Sequence, residues 1–199
     1  NPLAKNININ SIEADYILIS HGHEDHIADL NTIAKKTNAK IISNFEITNW
    51  ITEKFNISNC HPMNHGGSWE FDFGKVKYVN AVHSSVMPDG TNGGNPGGFV
   101  ITSNHGNFYY AGDTALHMDM KLIPMDINID FALLPIGDNF TMGINDAVHA
   151  ANFVETKKVI GLHYDTFGFI EIDHNEAKNS FKKNNLHLHL LDVGNKIEI

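Results

Sequence analysis

The chain has 199 residues and a formal net charge of −9, and its 14 basic residues are all lysines. That balance argues against nucleic-acid binding, which needs a basic footprint and favours the two-pronged grip of arginine. No apolar run reaches membrane-spanning length, the opening "NPLAKNININ" is too polar for a signal peptide, and the single Cys60 rules out an internal disulfide, so the expected setting is a reducing cytoplasm.

A composition of 42% hydrophobic and 19% charged residues suits a soluble globular chain. The length predicts one domain over residues 1–199. Taken in order, "YILIS" (16–20) predicts a buried strand. "IADLNTIAKKT" (27–37) carries apolar residues at helical spacing. "AKIIS" (39–43) predicts a strand, and "FEITNWITEKF" (45–55) a helix with Asn44 or Ser43 as its cap. The period then shortens: "WEFDFG", "VKYVNAVH", "FVITSN" and "NFYYAGD" predict strands between Gly and Asn turns. The stretch "DGTNGGNPGG" (89–98) lacks the spacing of a nucleotide-binding fingerprint and predicts a flexible surface loop, with a substrate-covering loop as the alternative.

"DFALLPIG" (130–137) predicts another buried strand, "NDAVHAANFVET" (145–156) a helix and "KKVIGLHY" (157–164) a strand. Asp173 and Glu176 form a cap signature for a helix to about Asn184. "LHLHLLD" and "KIEI" predict closing strands. Strand–helix units, a meander and strand–helix units again predict an α/β fold of two packed sheets with helices outside.

Polar clusters follow four of these strands. They are "HGHEDH" (21–26), "VHSS" with His83, "YAGDT" with Asp113 and "GLHYDT" with His163. Ligands in α/β sheets bind outside the carboxyl ends of strands, so the four ends are expected to converge. Neighbouring histidines repel one another when protonated, and a cation between them keeps the rings neutral. Seven candidates, His21, His23, Asp25, His26, His83, Asp113 and His163, exceed the needs of one tetrahedral ion and suit two ions with a bridging carboxylate. His21 and His23, two apart in an extended loop, point the same way and can share an ion. Asp25 and His26, where the loop turns into a helix, can aim at the second.

These motifs resemble those of the metallo-β-lactamase superfamily. "PIGDNFTMG" (135–143), "FDFGKVK" and "DMKLI" are similar to a branch of small bacterial metal-dependent hydrolases related to ascorbate-6-phosphate lactonases. The resemblance covers nearly the whole chain and implies a four-layer αββα sandwich with a dinuclear site at one edge. It implies His21, His23 and His83 on the first metal, Asp25, His26 and His163 on the second, and Asp113 bridging. Zinc leads among the metals, with manganese, iron or nickel as alternatives. Asp25 is the expected proton shuttle. Only 15 residues precede the first strong strand, so the first N-terminal strands of that fold are expected to be absent from this sequence.

Around the centre, Thr114 is a candidate to orient Asp113 or else to cap a helix. Tyr164 is a candidate donor to substrate or a packed aromatic. Asn139, Thr141 and Gly143 are candidates to line the pocket, and His65 to reach its rim. Ser84 and Ser85 make poor nucleophiles, because a metal-bound imidazole cannot serve as their base. The expected function is hydrolysis of a small ester, lactone, amide or phosphoester, with a small molecule as partner, no nucleic acid, no membrane, and homo-oligomerisation left open. The alternatives are a di-iron oxidoreductase, whose relatives replace the second motif histidine with glutamate where this chain keeps His23; a nuclease; and a non-catalytic metal-binding domain.

Overall fold

A computed structural model describes residues 2–199. Two sheets form the centre. The smaller has three parallel strands in the order β1 (Tyr16–Leu18), β2 (Lys40–Asn44) and β3 (Cys60–Met63). The larger has seven, running β10 (His187–His189), β9 (Lys158–Leu162), β8 (Phe131–Pro135), β7 (Gly106–Tyr110), β6 (Gly97–Ser103), β5 (Gly74–Asn80) and β4 (Ser68–Phe71). Strands β4 to β7 pair antiparallel, with tight turns joining β4 to β5 and β6 to β7 and a long connection over 81–96 between β5 and β6, while β7 to β10 pair parallel and need crossovers.

Side-chain alternation assigns the layers. In β2, Ile41 packs outward with Ile47, Trp50 and Ile51 of helix α3 (Phe45–Phe55), while its neighbour Ile42 packs inward with Val76, Tyr78 and Phe99 of the larger sheet. The other face of the larger sheet buries Tyr109, Ala132, Leu134 and Val159 against α4 (Ile144–Phe153) and α5 (His174–Lys183). The result is the four-layer α/β sandwich that the alternation of elements implied.

Local chemistry sets the boundaries. Asn44 caps α3, its side-chain oxygen accepting from the Ile47 N–H at 2.8 Å, and the Asp173 carboxylate caps α5 by accepting from the Asn175 and Glu176 N–H groups. The helix expected over 27–37 begins earlier and is broken, as α1 (Glu24–Ile27) and α2 (Leu30–Thr37). The break at Ala28 and Asp29 lets both pieces bury an apolar side chain, Ile27 from one and Leu30 from the other, in the same cluster. Strand β3 went unforeseen because "CHPM" contains Pro62, which sheets accept at an edge, and β3 is an edge. A 3-10 helix at Met118–Met125 was also unforeseen, with Pro124 inside it. "KIEI" is exposed and joins no strand.

The Gly-rich stretch differs from the flexible loop expected of it. Its second half is buried from Pro96 to Gly98, and the Asn44 side-chain amide donates to the Gly93 carbonyl at 2.7 Å and to the Asn95 carbonyl at 3.1 Å. The buried Tyr78 hydroxyl donates to the Ser20 carbonyl at 3.1 Å, tying the loop before the first histidine to the larger sheet. No described helix is long and apolar enough to cross a membrane.

Candidate metal centre

All seven sequence candidates come together where the carboxyl ends of strands from both sheets meet. They form two groups, His21, His23 and His83 in one and Asp25, His26, Asp113 and His163 in the other, each with its donor atoms within 4.8 Å of one another. Each group draws on both sheets. The smaller sheet supplies four donors from the loop after β1 and the start of α1. The larger supplies His83, Asp113 and His163 from the ends of β5, β7 and β9.

Asp113 lies at the middle. Its Oδ2 is 3.9 Å from His21 Nε2 and 3.8 Å from His83 Nε2 in the first group. In the second it is 3.3 Å from His26 Nε2 and 3.1 Å from His163 Nε2. Asp25 Oδ2 lies 3.3 Å from His26 Nε2 and 3.8 Å from His163 Nε2, and its side chain is 65% exposed where that of Asp113 is 6%. The buried carboxylate is therefore the shared one, and the exposed carboxylate faces solvent at the mouth. Five imidazoles and two carboxylates converging on one space form a donor set suited to zinc and other borderline divalent cations.

The supporting shell fixes these donors. Ser20 Oγ sits 3.0 Å from His21 Nδ1, which leaves His21 Nε2 turned inward, 3.0 Å from His23 Nδ1. The Ser85 hydroxyl accepts from the Gly22 N–H and donates to the Gly93 carbonyl, and Ser84 Oγ is 3.3 Å from His23 Nε2. Both serines therefore brace the histidine loop. Thr114 caps no helix; its hydroxyl accepts from the Val82 N–H at 2.9 Å and donates to the Ala115 carbonyl at 2.7 Å, so it anchors the chain leading into His83.

Backbone strain gathers at the far edge. Asp138, Asn139, His163 and Asp165 all adopt left-handed conformations with φ between 54° and 62°, unusual for residues other than glycine. The loop after His163 is cross-braced by Asp165. Its carboxylate accepts from the Ile172 N–H at 3.0 Å and meets His174 Nε2 at 2.5 Å, and its N–H donates to the Ile170 carbonyl at 2.9 Å. Gly137 runs beneath this turn, where a Cβ would meet the His163 carbonyl oxygen at 2.1 Å. Gly112, next to Asp113, has φ of 64° and would push a Cβ to 2.8 Å from both the Gly97 carbonyl and Ser20 Cβ. Gly137 and Asp165 lie within the stretches "PIGDNFTMG" and "GLHYDT", but neither spacing reveals their bracing roles; Ser20 is marked only by its adjacency to the first histidine, and His174 by no motif.

The remaining candidates fall outside the donor cluster. Tyr164 is half-buried, packs against the larger core and meets the His174 ring edge-on at 5.6 Å, as a packed aromatic does. Asn139 is exposed in the 138–143 turn, Thr141 lies beside it, and Gly143 with an ordinary φ of −85° precedes α4. His65 does not reach the rim. Its Nε2 lies 2.9 Å from the Pro96 carbonyl, and it lines a groove of about 640 Å³ on the outer face of the larger sheet, with Lys75, Val100 and Ile123 and none of the seven donors.

The two groups differ electrically. Burial, reinforced by the His26 charge, lowers His21 to about 3, and burial lowers His83 as well. Burial also opposes charge on His26, but the Asp113 and Asp25 carboxylates override it and raise His26 to about 9. A hydrogen bond donated to the Asp113 carboxylate likewise raises His163. Asp25 is lowered to about 2, chiefly by His26. Burial opposes ionisation of Asp113, yet His163 and His26 hold its carboxyl well below the usual range.

Residues 4–164 match the family model of the Beta-lactamase superfamily domain. A UPF0173 metal-dependent hydrolase of Christiangramia forsetii is 62% identical over 201 residues, covering all of this chain and 88% of the relative. One from Flavobacterium johnsoniae is 58% identical over 199 residues, again covering all of this chain and 88% of the relative. Among solved structures, Igni18, a metallo hydrolase from the hyperthermophilic archaeon Ignicoccus hospitalis, superposes with a TM-score of 0.83 at 32% identity, covering 92% of this chain and 78% of that one.

Proposed function

The chain belongs to the UPF0173 metal-dependent hydrolases of the β-lactamase superfamily, and on that premise we propose that it hydrolyses a small ester, lactone, amide or phosphoester at a dinuclear centre. His21, His23 and His83 would hold one cation and Asp25, His26 and His163 the other, with Asp113 near enough to serve both groups. The observation that carries this reading is the position of Asp113 Oδ2, within 3.1 to 3.9 Å of two imidazole nitrogens from each group. The chemistry that divalent cations would supply in this donor set is Lewis-acid activation of water near neutral pH and of the substrate's carbonyl or phosphoryl group.

The chain's own groups supply the rest. Asp25 is ionised at neutral pH, belongs to the second donor group and is open to solvent, so its carboxylate takes the proton of the attacking water and delivers it to the leaving group. The Ser20 and Ser85 contacts keep the histidine loop in place while this happens. No serine or cysteine nucleophile is needed. Zinc is the first expectation for the metal, with manganese, iron and nickel suited to the same donors. The reaction partner is a small molecule in the cytoplasm, and nucleic acid and membranes play no part.

The test is elemental analysis of untagged protein joined to a panel of lactones, esters, amides and phosphodiesters. The expected result is two divalent cations per chain and turnover that a chelator abolishes. A homogeneous, metal-loaded sample inert across the panel would contradict it, as would iron accompanied by oxygen consumption.

A further inference from the structure

His163 differs from the histidines of the first group in how its ring is held. His21 has its outer nitrogen, Nδ1, against Ser20 Oγ at 3.0 Å, and the outer Nε2 of His23 lies 3.3 Å from Ser84 Oγ. His163 turns Nε2 towards Asp113 and Asp25, but its Nδ1 is buried with no hydrogen-bond partner. Histidines that ligate metals are ordinarily fixed by a hydrogen bond from the second ring nitrogen. Without one, the place of this ring is set by its backbone.

That backbone is a left-handed turn. His163 and Asp165 have φ of 54° and 59°, values that residues other than glycine keep only where their surroundings enforce them. On one side the His163 carbonyl rests over Gly137, where a Cβ would clash. On the other, three hydrogen bonds converge on Asp165. Its N–H donates to the Ile170 carbonyl at 2.9 Å, its Oδ1 accepts from the Ile172 N–H at 3.0 Å, and its Oδ2 meets His174 Nε2 at 2.5 Å. A carboxylate only accepts, so Nε2 of His174 carries the proton in that bond.

Of these three partners, Ile170 and Ile172 belong to the loop that follows β9. His174 alone comes from a fixed element. It opens α5, which the Asp173 carboxylate caps, and Ala177 and Phe181 of that helix are fully buried. His174 itself is 48% exposed and belongs to neither donor group.

We propose that His174 is a positioning residue for the second cation: it holds Asp165, and through it the left-handed turn that aims His163. The proposal rests on the dinuclear reading above and adds to it a residue outside the donor set. Without the His174 bond, Asp165 loses its tie to α5 and the turn is free to relax to commoner backbone angles. The His163 ring, with no hydrogen bond from Nδ1, then moves away from Asp113. The first group, with His21 and His23 held by their own serines, is spared.

The experiment equilibrates the zinc-loaded protein at graded, buffered free zinc concentrations and counts the zinc bound per chain. The unaltered protein, His174→Ala and His174→Gln are compared, and the step lost in His163→Ala identifies the second group. Glutamine keeps an N–H donor near the position of Nε2. His174→Ala is expected to weaken the second-group step at least about tenfold, the lower end of what losing an outer partner costs a metal site. The other step is expected to stay where it was, which also shows that the variant is folded, and His174→Gln to recover most of the lost affinity. A second-group step untouched by His174→Ala, equal weakening of both steps, or a glutamine variant as weak as the alanine one overturns the proposal. Two steps indifferent to His174 overturn it alone; a single zinc in the unaltered protein overturns the dinuclear reading with it.

Discussion

The two halves of the metal centre are built from the same side chains and behave as opposites. The first, His21, His23 and His83, has no carboxylate of its own, and burial keeps His21 and His83 neutral and ready to bind a cation. The second contains Asp25 and Asp113, which hold a proton on His26 and raise His163. The lesson is that donor identity alone does not set a metal subsite; the carboxylates beside the imidazoles decide whether a cation enters freely or must displace protons.

The largest effect expected from breaking this contrast is on turnover. Asp25→Asn keeps the shape and an oxygen donor but removes the solvent-facing base, so kcat is expected to fall by about 10²- to 10⁴-fold even when saturating metal restores full occupancy. Steady-state rates on any hydrolysed substrate read this directly; unchanged turnover at normal metal content would remove Asp25 from its role.

Next comes stability. Each half takes donors from both sheets, so bound cations cross-link them. Chelation is expected to lower stability by about 2.7 kcal/mol for each cation removed, at a free metal level 100 times its dissociation constant. Thermal melts with and without chelator give the number, and coincident melts would contradict the cross-link.

A smaller, one-sided effect is expected from Gly137→Ala. Its Cβ has no room beside the His163 carbonyl, and overpacking of this kind costs about 1–3 kcal/mol. Because His163 belongs to the second half alone, the variant should weaken one of two binding events in a zinc titration and spare the other. Equal weakening of both would mean the halves are not separable.

The subtlest effect is in pH. His26 in the metal-free fold is raised from the ordinary 6.5 of an imidazole to about 9 by the Asp113 and Asp25 carboxylates, against the opposing effect of burial. Its pairing with the carboxylates therefore stabilises that fold fully below pH 6.5, and the contribution is lost as pH rises through 9. At pH 7.5 a cation entering the second half must displace this proton, and about one proton should be released on zinc binding, while the first half binds with none from His21. Calorimetry in buffers of different ionisation enthalpy counts the protons; zero release would contradict the charge on His26.

How much of this could be read beforehand follows the same division between contiguous and dispersed features. Four donors sit within six residues of "HGHEDH", and such a run is visible in one dimension. His83, Asp113 and His163 were visible only as polar residues after apolar strands, and the rule that strand ends converge was needed to bring them together. Strand β3 was hidden by Pro62, whose acceptability depends on being at an edge, which is a property of the sheet. The break between α1 and α2 was hidden because the helical spacing runs straight through it. The Thr114 contact with Val82 spans 32 residues of sequence and leaves no local pattern.

The most direct test of the shared centre is the metal content of Asp113→Ala beside that of the unaltered chain, by elemental analysis after dialysis. With one carboxylate joining the halves, the account predicts two cations per chain falling to well under one in the variant. Two cations retained without the Asp113 carboxylate, or a single cation in the unaltered protein, would contradict it.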